Sequence, residues 1–307
     1  MAQRLSLIIL AISLLGACSI STAPAPMIRL NDLQPLPMPT PVTSPPLRVS
    51  VASVISPQGT VQSYQPLLDY LSAKLGRQVV LVQRRTYTET NELIGSNEVD
   101  VAFVCTSAYI DGRDRYGMNL LVAPQVNEAT TYHSLLIVPA NSPAQTMADL
   151  RGKVFAFTDP TSFSGRVYPT VLVNELGEEP ETFFHDIFFT YTHDKAIEAV
   201  ANGLADGAAV DSLVFEFALA RDPELATKVK VIHTSPPFGI PPVVVGPGVR
   251  PQLRAELQNI FLGMADDPSS LAQKALTALG VDRFVMIDDA AYASARLVRS
   301  RVSRLSP

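Results

Sequence analysis

The sequence predicts an α/β protein in two lobes, and three observations carry that prediction. From Leu47 onward, short apolar runs of strand character alternate with stretches of helical period. The body beyond residue 46 is long for a single open sheet, which favours two. Polar turns follow several strand ends, where ligands sit in open, mostly parallel α/β sheets.

The chain opens on a targeting segment. Arg4 supplies a positive start, Leu5 to Leu15 form an apolar run too short to span a bilayer, and Leu15-Gly16-Ala17-Cys18 closes it with small residues before a cysteine. This pattern predicts a lipoprotein signal peptide over residues 1–17, cleaved before Cys18, with lipidation at Cys18. A secretory peptide with a chance cysteine, or a retained anchor, is the alternative. Residues 18–46 carry Pro24, Pro26, Pro35, Pro37, Pro39, Pro41, Pro45 and Pro46 and read as a semi-rigid tether. The expectation is an extracytoplasmic body, lipid-anchored to the periplasmic side of the cell membrane.

Within the body, Leu47–Ala52 reads as a strand and Ser56-Pro57-Gln58-Gly59 as a loop. Tyr64, Leu67, Leu68 and Leu71 then form one helix face that Gly76 ends. Val79–Val82 is a strand, Tyr87 stands in the turn after it, and a helix around Asn91–Ile94 leads to the strand Asp100–Val104. Leu135–Val138 and Val154–Phe157 continue the strands, and Ala196, Ile197, Ala199 and Val200 form a helix face ending near Gly203. Gly207–Val210, Val229–Ile232 and Val243–Val245 are further strands, with mostly helical sequence from Gln252. Such β-α-β units predict open, mostly parallel sheets covered by helices. No internal repeat is apparent.

The polar turns are Thr106-Ser107, Asp159 to Gly165, His193-Asp194 and Asp211-Ser212. The second is the most informative. A strand, a Ser/Gly turn and a helix opening present unpartnered N–H groups at the positive end of a helix dipole, which suits a small oxyanion. Ser162 and Ser164 add hydroxyl donors and Gly165 permits close backbone approach, although a serine N-cap after a strand is also ordinary architecture. His193 at a helix start serves either as a donor to an anion or as a cap. Asp211 either meets a ligand amine or caps the next helix. Tyr87, Tyr109 and Tyr132 stand near strand ends, as cleft phenols or as rim packing.

Several classes of function are disfavoured. The net charge of −5 argues against nucleic acid or an anionic lipid surface as main partner. There is no P-loop, dinucleotide glycine fingerprint, HExxH, paired-cysteine zinc spacing or G-x-S-x-G elbow, and four histidines supply a metal cage poorly. The cysteines are Cys18 and Cys105; the latter lies in the apolar run Val101–Cys105 and reads as a buried, inert thiol. Binding fits better than catalysis, with no cofactor and no metal.

In order along the chain come Tyr64-Gln65-Pro66-Leu67-Leu68-Asp69-Tyr70-Leu71 before Leu75-Gly76, then Tyr87, then Asp100-Val101-Ala102-Phe103 before Tyr109. Tyr132-His133-Ser134-Leu135-Leu136-Ile137-Val138, Ser162-Phe163-Ser164-Gly165 and His193 to Val200 follow, with Gly203 and Asp206 beyond. Ser235-Pro236-Pro237 and Pro241-Pro242 complete the series. With these markers the stretch from Leu47 to Tyr292 resembles the phosphonate/phosphite/phosphate substrate-binding proteins of ABC importers, in lipoprotein form.

The resemblance implies a type II periplasmic-binding fold, with residues 47–137 and 240–307 as lobe 1, residues 138–239 as lobe 2, and hinge closure on a ligand. It puts a small phosphorus oxyanion on the Ser162/Ser164 turn with His193 across from it. Tyr87 and Tyr132 line the opposite lobe and Asp211 sits near the ligand's other end. Phe163 replaces the small hydroxyl residue that relatives often carry between the two serines, which removes a donor. Thr106 and Ser107 stand where many relatives have a glycine-proline step. The implied protein is a monomeric, non-enzymatic receptor feeding a membrane permease. A sulfonate or other small solute, a sensor that reports to a signalling partner, and an enzyme on the same fold are the alternatives.

Overall fold

The computed structural model describes residues 44–302; the signal peptide, Cys18 and most of the tether lie outside the described residues. The chain runs β1 (Leu47–Val51), α1 (Pro57–Leu75), β2 (Val79–Gln83), α2 (Tyr87–Gly95), β3 (Val101–Phe103), α3 (Thr106–Tyr116) and β4 (Asn119–Gln125). It then crosses through β5 (Thr131–Tyr132) into β6 (Ser134–Pro139), β7 (Val154–Phe157), α4 (Tyr168–Asn174), β8 (Asp186–Phe189), α5 (His193–Ala201), β9 (Gly207–Asp211), α6 (Ser212–Arg221) and β10 (Val229–Thr234). It returns through β11 (Phe238–Gly239) to β12 (Val243–Val245), α7 (Pro251–Leu262), α8 (Ser270–Leu279), β13 (Arg283–Val285) and α9 (Ala293–Val302).

The first sheet has the order β13-β4-β12-β3-β1-β2 and the second β10-β6-β9-β7-β8. β1, β2 and β3 are parallel, as are β7, β8 and β9. In each sheet the strand that enters from the crossing, β12 or β6, is inserted antiparallel between the third and fourth strands of its lobe. Apart from the added β13, the two lobes therefore repeat one topology that the sequence conceals, because the inserted strand precedes its four companions in lobe 2 and follows β1 to β4 in lobe 1.

The lobe limits differ slightly from expectation. Ser134–Ile137, read as the end of lobe 1, pair with β9 and belong to the second sheet. Between the sheets, β5 and β11 pair as a short antiparallel ribbon, with Tyr132 opposite Phe238.

Local sequence accounts for the boundaries. α1 starts earlier than the helix face suggested: Ser56 is its N-cap, Pro57 occupies its first turn, and Gly76 ends it at φ +60°. α2 starts at Tyr87, with a Thr86/Glu89 capping box. Apolar side chains cover both faces of each sheet: Leu47, Val49, Leu67, Leu71 and Phe261 share one core in lobe 1. In lobe 2, Ile137, Ala196, Val200 and Val210 pack on one face and Leu136, Phe155, Phe157 and Phe183 on the other. No described helix is long and apolar enough to cross a membrane.

Candidate functional site

The carboxyl ends of β1, β2 and β3 face those of β7, β8 and β9 across the cleft. Backbone bonds span it: His193 N donates to Val54 O at 2.8 Å. Tyr87 N donates to Asp159 Oδ2 at 2.9 Å, and Ser56 N to both oxygens of Asp194 at 3.1 and 3.0 Å. The lobes are closed.

The serine turn is built by lobe 2 alone. After β7, Asp159 Oδ1 accepts from Thr161 N and Oγ1, both at 2.7 Å. Ser162 is an N-cap whose Oγ accepts from Gly165 N at 3.1 Å, and Phe163–Val167 form one π-helical turn. Pro169 has no N–H for Gly165 O, which instead accepts from Thr158 N at 3.3 Å. Gly165 is needed for a reason different from ligand approach. A Cβ there would overlap the Thr158 side chain, so the glycine lets the turn lie against its own lobe. Ser164 O accepts from Ser134 Oγ at 2.7 Å, which ties the turn to β6. Phe163 is fully buried, edge-on to Phe238 of the crossing ribbon at 4.6 Å.

His193 and Asp211 form a second cluster beside the turn. His193 is 1 % exposed; its Nδ1 accepts from Asp211 N at 3.0 Å and its Nε2 lies 3.4 Å from Ser162 Oγ. An accepting Nδ1 leaves the proton on Nε2, facing the serine. Burial lowers the imidazole pKa to about 3, with the nearby Asp194 charge opposing, so the ring is neutral. Asp211 caps α6 through Leu213 N at 2.8 Å, and burial pushes its carboxyl up to about 7, against backbone donors that favour the anion. Protonated, it can donate to an oxyanion; ionised, it can hold an amine.

From lobe 1 and the ribbon come Tyr87, Cys105, Thr106, Ser107 and Tyr132, all buried. Tyr87 and Tyr132 both feel the charge of Asp211, and the Tyr132 phenol faces Thr106 and Ser164. Desolvation raises both phenols well above their ordinary pKa, so they remain hydroxyl donors. Thr106 Oγ1 donates its proton to Gly239 O at 2.8 Å, which makes it a tie to the ribbon and removes it from the free donors. Ser107 takes part through its N–H, which with those of Ala108 and Phe163 faces the Cys105 sulfur. Burial outweighs those donors and raises the thiol to about 11, so Cys105 is inert as expected.

The defining property of the site is what its hydroxyls lack. Tyr87 Oη, Tyr132 Oη and Ser164 Oγ are buried without a hydrogen-bond partner, as is Thr158 Oγ1 behind the turn. Each such group costs about 1–3 kcal/mol. Hydroxyls from lobe 1, the ribbon and lobe 2 thus converge without a hydrogen-bond partner among the described residues. Of the predicted residues, Tyr87, Tyr132, Ser162, Phe163, Ser164, His193 and Asp211 come together, with Thr106, Ser107 and Gly165 in supporting positions. Tyr109 does not present its hydroxyl to them: its Oη donates to Asp289 Oδ1 at 2.7 Å. Sequence reasoning missed Cys105 as a cleft residue, and missed Ser134, Asp159 and Asp194. Cys105 is the N-cap of α3, where strand alternation no longer sets direction, and Asp159 and Asp194 act on the opposite lobe.

The family described as ABC transporter, phosphonate, periplasmic substrate-binding protein matches residues 49–292. The chain is 33% identical over 163 residues to the phosphate-import protein PhnD of Mycolicibacterium smegmatis, across 50% of this chain and 51% of that protein. It thus spans about half the length of that relative. A binding-protein component of an ABC phosphonate transporter from Pseudomonas aeruginosa superposes with TM-score 0.79 at 23% identity, covering 85% of this chain and 87% of that one. PhnD1 from Prochlorococcus marinus, solved with methylphosphonate, superposes with TM-score 0.76 at 18% identity, covering 84% and 98%. These structures share the type II periplasmic-binding fold with this chain.

Proposed function

This chain belongs to the periplasmic substrate-binding proteins of phosphonate ABC transporters, a family of carriers and not of enzymes, and from that premise we propose that its interlobe cleft captures a small phosphorus oxyanion for a membrane permease. Phosphonate, phosphite and phosphate are the ligands in view. Cys18 carries the lipid that holds the receptor, as a monomer, at the membrane, and the proline-rich tether lets the body reach its permease.

One observation supports the reading above others: Tyr87, Tyr132 and Ser164 bury hydroxyls that have no hydrogen-bond partner among the described residues. A phosphorus oxyanion offers several strong acceptors in a tetrahedral spread, so one small ligand can satisfy donors arriving from different directions. The neutral Nε2–H of His193 adds to them. A carboxylate is planar and matches a spherical set of donors less well.

A thermal-shift and calorimetric screen of phosphate, phosphite, methylphosphonate, 2-aminoethylphosphonate and small sulfonates tests this. A ligand at a hundred times its dissociation constant adds about 2.7 kcal/mol to stability. At least one phosphorus oxyanion is expected to bind more tightly than every sulfonate. Preference for a sulfonate, or no response to any phosphorus compound, defeats the proposal.

A further inference from the structure

The loops that follow β2 and β8 meet across the cleft in a contact that the oxyanion reading does not use. Each of these strands is an edge strand of its sheet, so the loops stand at the rim of the cleft. There the guanidinium of Arg85, from lobe 1, lies over the ring of Tyr191, from lobe 2, with its central carbon 4.5 Å from the ring centroid. At that distance the face of an aromatic ring attracts a cation. Arg85 is exposed and Tyr191 half-buried.

Backbone contacts hold both partners in place. Ser53 Oγ donates to Arg85 O at 2.7 Å and lies 3.5 Å from Tyr191 O, so one lobe 1 hydroxyl sits between the carbonyls of the two residues. Thr190 Oγ1 lies 3.1 Å from Phe157 O and 2.9 Å from Thr192 O, which fixes the turn that carries Tyr191. Tyr191 has φ +64°, a left-handed backbone that an aromatic residue rarely adopts and a glycine adopts freely. Its side chain is therefore what this position supplies. Within its own lobe that ring meets Phe189, with centroids 6.4 Å apart, and across the cleft it meets Arg85.

Each partner stands two positions from a residue of the donor cluster, Tyr87 in lobe 1 and His193 in lobe 2. The N–H groups of those residues make cross-lobe bonds, to Asp159 Oδ2 at 2.9 Å and to Val54 O at 2.8 Å. The rim contact and these bonds therefore form and break together.

We propose that Arg85 and Tyr191 are a latch at the rim of the cleft, made only when the lobes close, that holds them closed and so lengthens the stay of a captured solute. Both act as positioning residues: neither belongs to the donor cluster, so the latch favours the closed state equally with the cleft empty or filled. It goes beyond the oxyanion reading and holds for whichever solute the cleft takes.

Hydrogen exchange of the ligand-free full chain, followed by NMR, tests it. Tyr87 and His193 are the first residues of α2 and α5, where an N–H has no acceptor within its helix, so closure is what protects these two amides. Their protection gives the closed-to-open ratio. Arg85→Ala and Tyr191→Leu should each lower that ratio about two- to fivefold, and the double variant by no more than the larger single effect. Tyr191→Phe, which keeps the ring, should retain the parent value, and amides of β1 and β7 should be as protected as in the parent throughout. Unchanged protection in Arg85→Ala, additive effects in the double variant, or free exchange of both amides in the parent would overturn the latch. The Arg85 backbone, not its side chain, binds Ser53, so Arg85→Ala decides the matter whatever Tyr191→Leu does to folding. No solute enters the measurement, so its failure leaves the oxyanion reading to its own screen.

Discussion

His193 and Asp211 are buried side by side, and their titrations oppose one another. The folded imidazole pKa falls from 6.5 to about 3, so between those values only the unfolded chain binds that proton, and stability rises with pH. The folded Asp211 pKa rises from 3.8 to about 7, so between those values only the folded chain binds that proton, and stability falls as pH rises. From about pH 4 to 6.5 the two contributions cancel. Asp211→Asn should therefore unmask stability that climbs with pH across this window, with a slope of at most about 1.4 kcal/mol per pH unit, and His193→Gln should unmask the reverse slope. Denaturant melts of the ligand-free proteins at half-unit pH steps measure both. Variant curves running parallel to the parent would show that the two groups do not titrate as a buried pair. The residue types were legible in the sequence, since a histidine at a helix start and an aspartate closing an apolar strand both stood out. Their mutual contact was not, because it runs from a side chain to a backbone N–H 18 positions away.

Helix ends account for much of how the lobes hold each other. α1 has Ser56 as N-cap, but the position from which a capping-box acid would reach back is Gly59, which has no side chain. Asp194 from lobe 2 takes that place, accepting from Ser56 N with both oxygens. Asp159 does the same at the first residue of α2. Both are lobe 2 carboxylates at lobe 1 helix N-termini, so they favour closure through the helix dipole. Asp194→Asn should loosen closure and weaken ligand affinity about two- to thirtyfold, in line with the roughly 0.3–2 kcal/mol range of such contacts. The α5 cap at Thr192 persists in the variant, so the melting temperature of the ligand-free protein should change little. Calorimetry and melting together check this; unchanged affinity would remove the cross-lobe caps from the closure mechanism. From sequence, Asp194 is indistinguishable from an ordinary first-turn acid and Asp159 from a polar residue of the turn after a strand. A cap supplied by the other lobe leaves no local spacing to read, and the missing acid at Gly59 is its only trace. The same blindness to long-range pairing hid the antiparallel insertion of β12 and β6, whereas the alternating strands and helices themselves were plain from their periods.

At the scale of the whole molecule, the partnerless hydroxyls are expected to oppose closure of the empty cleft. When the cleft is open, water reaches Tyr87, Tyr132 and Ser164; when it closes empty, each hydroxyl is desolvated at about 1–3 kcal/mol. The cross-lobe caps and the burial of Phe163 against Phe238 favour closure, and the empty donors oppose it. On the proposed function, a bound oxyanion would remove the opposing term without altering the favourable ones, which is the differential affinity that a population shift requires. The triple variant Tyr87→Phe, Tyr132→Phe, Ser164→Ala separates these contributions. It should bind oxyanions at least a hundredfold more weakly, since hydrogen bonds to charged groups contribute about 1.5–3 kcal/mol each. It should also be closed more of the time than the parent when no ligand is present. Dyes on cysteines placed at the exposed positions Thr88 in lobe 1 and Lys153 in lobe 2, with the buried Cys105 left unlabelled, report the distribution by single-molecule energy transfer. A ligand-free variant as open as the parent would mean that the unmet donors do not hold the lobes apart, and closure would then have to be driven by contacts to the bound solute alone.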